Sequence, residues 1–142
     1  MLETTCQKIL EHAEVAGAED ADVLGVSGTA TSIEVRKQDL EQIERSESTE
    51  FGLRVFIGQK QAIVSGSDLS DASIKLMAER AVEMAAAAPV DPYCGLADKS
   101  QLAKFWNIND FELSDDYDEP LPDELENIAK ETEHFALQNQ SV

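Results

Sequence analysis

The stretch FGLRVFIG, Phe51–Gly58, decides the fold. Phe51, Leu53, Val55 and Ile57 fall on alternate positions, the period-two pattern of a strand with one face in a core. The turn residues Gly58, Gln59 and Lys60 follow, and Gln61–Ser65 returns as the next strand. Upstream, Leu40–Arg45 carries Leu40 and Ile43 at a spacing that hints at a bulge. Ser32–Arg36 alternates through Ile33 and Val35, and Asp22–Val26 is short and apolar. Connections this short permit hairpins but not parallel crossovers. The reading is therefore α+β: an antiparallel β-meander of about five strands packed against two helices. Glu34, Arg36, Glu44, Glu50 and Arg54 fall on outward positions, as suits a sheet with one wet face.

The two helices flank the strands in sequence. Leu2, Cys6, Ile9, Leu10, Ala13 and Ala16 recur at helical spacing, and Gly17 provides a left-handed stop. Ser70 is a natural N-cap for a second helix, with Asp71 complementing the positive end of the dipole. Ile74, Met77, Ala78, Ala81, Ala85 and Ala88 form its apolar stripe, and Pro89 ends it. The small alanines let this helix lie close to the sheet. The face of Phe51–Ile57 is expected to be covered by residues 2–16 and 71–88.

Composition divides the chain. Of its 142 residues, 11 are Lys or Arg and 29 are Asp or Glu, for a formal net charge of −18. Residues 1–88 carry a net −8, whereas the shorter remainder carries −10 and all four prolines, Pro89, Pro92, Pro120 and Pro122. This places an α+β domain at residues 1–95 and an acidic connecting segment at 96–142. Within the segment, VDPYCGLAD (residues 90–98) reads as an ordered loop with a Pro-Tyr anchor. Phe105, Trp106, Phe111, Leu113 and Tyr117 supply isolated apolar bulk. A third helix begins at Pro122, a favoured first-turn residue, with Leu125, Ile128, Ala129, Thr132 and Ala136 on its inner face. The chain stops at Val142 with no further element to seal this helix, so a longer protein is expected.

Composition also excludes function classes. At 42% hydrophobic residues with only 7 Gly and 4 Pro, the chain is expected to fold rather than stay disordered. No apolar run approaches the ~18 residues of a membrane span, and the acidic N-terminus lacks the layout of a signal peptide. A net negative chain with no basic stripe has no means of displacing phosphate counterions, so direct nucleic-acid binding is not expected. Cys6 and Cys94 form no metal or redox spacing, which suits a reducing cytoplasm.

Motifs for chemistry are missing. His12 and His134 lie near opposite ends of the chain with no paired-histidine helix motif, and Gly25, Gly28 and Gly66 make no phosphate loop. A zinc site needs three or four converging ligands. Asp115, Asp116, Tyr117, Asp118 and Glu119 could attract a hard cation, but lack the alternating spacing and glycine of a calcium loop. A solvated acidic stretch accounts for them better. Glu44, Arg45 and Glu47 could recognise a charged ligand, but a charged strand face is the commoner explanation. Cys6 reads as a small core residue and His12 as a solvated helix residue. No catalytic or metal-binding residue is assigned, and no binding residue can be named.

Five fragments taken in order carry a resemblance: SIEVR (Ser32–Arg36), LEQIERS (Leu40–Ser46), FGLRVFIG (Phe51–Gly58), SDLS (Ser67–Ser70) and APVDPYCGLAD (Ala88–Asp98). Their order and spacing resemble the N-terminal region of the TldD/PmbA family, and DPYCGLAD favours the PmbA branch, also called TldE. Leu121–Val142 looks like the entry to that family's middle domain. The resemblance implies cytoplasmic proteins associated with zinc-dependent proteolysis and with the label "modulator of DNA gyrase". In that family TldD-type chains carry an H-E-x-x-x-H zinc motif, and PmbA-type partners lack the full metal site. The motif has no counterpart here, so no catalytic residue carries over and no cofactor is implied in this chain. Implied instead is a non-catalytic N-terminal domain in a metalloprotease assembly acting on peptides, with zinc on a TldD-like partner subunit. A homodimer stays open. The alternative is an acidic protein-interaction module related to modulation of DNA gyrase, with no enzymatic role.

Overall fold

The computed structural model describes residues 2–105, 107–113 and 118–138. Trp106 and the run Asp115–Tyr117, singled out above, lie outside the described residues, as does the terminus at Val142. The elements are α1 (Leu2–Ala16), β1 (Asp20–Arg36), β2 (Asp39–Ile57), β3 (Lys60–Gly66), α2 (Asp71–Ala87) and α3 (Pro122–Leu137). A 3-10 turn at Ile108–Phe111 precedes α3. The three strands form one sheet in the order β1-β2-β3.

The α+β class holds, but the meander has three strands among the described residues, not about five. Asp22–Val26 and Ser32–Arg36 are two parts of the 17-residue β1, and Leu40–Arg45 and Phe51–Ile57 are two parts of the 19-residue β2. The apolar alternation lapses in Ser27–Thr31 and Ser46–Glu50 while the strands continue. The intervening Ser and Thr residues are compatible with extended backbone, and Gly28 shows no positive φ. What ends at these points is contact with a core: from Asp39 to Ser48 every residue of β2 is exposed, whereas Phe51, Leu53 and Val55 are buried.

The chain divides into two compact units. The first comprises residues up to Gly28 together with Ser48–Ala103, and the second Thr29–Glu47 together with the chain from Lys104 onward.

In the first unit, β2 and β3 pair antiparallel from Phe51↔Gly66 to Ile57↔Lys60, closed by a turn in which Gly58 takes φ +55°. That left-handed conformation strains most other residues and costs glycine little. α1 ends as its sequence requires. Gly17 has φ +105°, its N–H donates to Glu14 O at 3.0 Å, and Ala18 N–H donates to Ala13 O at 3.0 Å. These are the paired bonds of a Schellman cap. α2 starts at Ser70, whose Oγ accepts from Ser73 N–H at 3.3 Å. Lys60 closes its other end by donating from Nζ to Ala86 O at 2.8 Å, a cation at the negative end of the dipole.

The core follows from these elements. Ile9 and Ala13 of α1, Phe51, Leu53 and Val55 of β2, and Ile74, Ala78, Ala81 and Ala85 of α2 form one buried cluster. Cys6, Val23, Val64 and Met77 pack at its margin. The two helices therefore cover the face of Phe51–Ile57 as expected. Close approach is possible because small residues occupy the contacts, and a Cβ on Gly25 would come within 2.6 Å of the Phe51 ring.

Two side chains depart from the sequence reading. Phe56 points to the face expected to be wet and is still buried, with the Arg54 guanidinium 5.1 Å from its ring centroid. Tyr93 is 95% exposed and anchors nothing. The loop around it is held by Asp91 instead: Asp91 N–H donates to Gln59 O at 2.7 Å, and the Asp91 carboxylate accepts from Tyr93 N–H at 2.9 Å.

Candidate interaction surface

In the first unit the titratable side chains mainly join elements. Lys8 and His12, one helical turn apart on α1, both reach Asp71 at the start of α2. Lys8 Nζ lies 2.7 Å and His12 Nε2 3.4 Å from Asp71 Oδ1. The Asp71 carboxyl is held below its ordinary value, first by the hydrogen bond from Lys8 and then by that from His12. His12 thus clamps α1 to α2 instead of standing free in solvent. Asp68 accepts from Ser73 Oγ at 2.6 Å and from Ser70 N–H at 2.9 Å, and these bonds hold its carboxyl low as well. Arg54 makes a two-pronged pair with Asp22, with Nε–Oδ1 at 2.8 Å. That hydrogen bond, supported by the charge of Asp22, raises the guanidinium's pKa further.

The second unit contains an arrangement with no signature in the sequence. At the β1–β2 turn, Lys37 and Gln38 both adopt left-handed backbone, with φ 54° and 68°. Two successive residues of this kind make the tight hairpin turn that normally favours Asn-Gly. Their N–H groups point out of the hairpin, and the carboxylate of Glu133 on α3 accepts both, each at 2.6 Å. The Gln38 side chain adds bonds to Glu133 Oε2 at 2.9 Å and to Lys130 O at 3.0 Å. The Glu133 carboxyl is held below its ordinary value, first by the Gln38 backbone N–H, then by that of Lys37 and by the Gln38 amide. Ala129, Thr132 and Ala136 of α3 line a shallow groove with Ile33 and Val35 of β1, whereas Ile128, expected on the same inner face, is 59% exposed and lies outside it.

The remaining candidates do not assemble into a catalytic group. Arg45 pairs with Glu119 at 2.9 Å and lies 3.6 Å from Glu47. His134 Nε2 meets Gln138 Nε2 at 3.0 Å. Cys6 packs beside the core, and Cys94 is half-buried with its N–H donating to Asp91 O at 3.2 Å. Among the described residues no three His, Cys, Asp or Glu side chains converge as a metal site requires. Among the described residues no helix is long and apolar enough to cross a membrane.

What the second unit does offer is surface. No residue of α3 is fully buried, and Ile128, Phe135 and Leu137 are more than half exposed, as are Phe105, Phe111 and Leu113 before it.

Comparison with known proteins places this architecture. Residues 21–85 match the family model of PmbA/TldA metallopeptidase domain 1. A metalloprotease PmbA homolog of Haemophilus influenzae is 33% identical over 129 residues, covering 91% of this chain and 28% of that protein. Metalloprotease PmbA of Escherichia coli O157:H7 is 30% identical over 139 residues, covering 93% of this chain and 30% of that protein. The chain therefore spans less than a third of the length of these relatives. Two crystal structures share the fold with a TM-score of 0.67. TldE from Thermococcus kodakarensis is 12% identical, covering 96% of this chain and 30% of that one. A Bacteroides thetaiotaomicron protein described as a modulator of DNA gyrase is 20% identical, covering 74% and 24%. Together these matches support a PmbA/TldD-family N-terminal fragment, with residues 21–85 matching that family's first domain.

Proposed function

We propose that this chain serves as a non-catalytic N-terminal domain of a PmbA/TldE-like subunit in a zinc-dependent metalloprotease assembly that acts on peptides. The observation that carries the proposal is the match of residues 21–85 to the first domain of a metallopeptidase family. The donor set present does not fit zinc. His12 is committed to Asp71, His134 faces Gln138, and no third donor converges on either among the described residues. As the family resemblance implies, zinc chemistry is assigned to a TldD-like partner subunit, and this domain to assembly or to the walls of a substrate channel. The expected setting is the cytoplasm.

The test is to mix the purified chain with a zinc-loaded TldD-like subunit and follow both co-elution and cleavage of an unstructured peptide. Co-elution with altered cleavage is expected. Separate elution with unchanged cleavage would refute the assignment.

A further inference from the structure

We draw no further inference here: the strongest candidate, the outer face of the sheet in the first unit, where Leu24, Val26 and Ile63 stand exposed around the Arg54–Phe56 stack, is an unpartnered apolar face, and nothing in the structure shows what covers it.

Discussion

Gln38 is joined to Glu133, ninety-five residues further along the chain, by both its backbone N–H at 2.6 Å and its side-chain amide at 2.9 Å. The relationship explains why a turn made of Lys37 and Gln38 tolerates two left-handed non-glycine residues. Each such residue costs roughly 1–2 kcal/mol, and the turn's outward N–H groups gain charge-assisted acceptors in return.

This contact has a defined pH dependence. Because the Glu133 carboxyl is lowered in the folded protein, the contact's contribution is fully present above the ordinary glutamate value of about 4.3. It is lost as pH falls through the lowered value. Carboxyl titration by NMR should place Glu133 below the exposed glutamates. Glu133→Gln should speed amide exchange at Lys37 and Gln38, with core amides unchanged. A normal Glu133 titration would contradict the account.

The turn itself is open to improvement. Asn tolerates left-handed backbone better than Lys, so Lys37→Asn should stabilise the hairpin by up to about 1 kcal/mol while keeping the N–H that Glu133 accepts. Slower exchange around the turn is the expected reading. Faster exchange would show that the Lys37 side chain matters more than its backbone.

Two strand glycines should respond in opposite directions. A Cβ on Gly25 would lie 2.6 Å from Phe51 Cε1 and 3.1 Å from Cys6 Sγ, so Gly25→Ala should cost about 1–3 kcal/mol through overpacking. Gly52 has open space at the corresponding position, and Gly52→Ala should be neutral or stabilising by about 0.5–1 kcal/mol. Thermal melts of the two variants decide it, and equal effects would mean the packing around Phe51 is looser than described.

Arg54→Lys tests the outer face of the sheet. Lysine keeps the charge but loses the two-pronged pair with Asp22 and the planar contact over Phe56. Both partners are partly exposed, so solvent screening limits the expected loss to about 0.5–1 kcal/mol. A double-mutant cycle with Asp22→Asn measures the coupling. Zero coupling would reduce the pair to a surface ornament.

These features differ in how far they could be read from residues alone. The core of the first unit was legible because its signals are local. Alternation from Phe51 to Ile57, the Ala stripe of α2, the Ser70 cap and the Gly17 stop each act within a few residues of themselves. Strand number was not legible, since the apolar pattern reports contact with a core and not extension of the backbone. Phe56 reads as an outward residue until the Arg54–Asp22 pair is seen above it. The Glu133 contact left no trace at all: a Lys-Gln pair does not advertise a tight turn, and a helix glutamate does not name an acceptor role across ninety-five residues. The His12 contact is equally silent in the sequence, because Asp71, 3.4 Å away, lies on a different helix.

The most direct test of the central claim, a metallopeptidase-family domain that contributes assembly and not chemistry, is zinc content together with peptide cleavage. The dialysed 142-residue chain should hold no stoichiometric zinc and cleave no peptide alone, yet change the cleavage of peptide by a TldD-like subunit when added to it. One zinc retained per chain, with cleavage that a chelator abolishes in the absence of any partner, would contradict it.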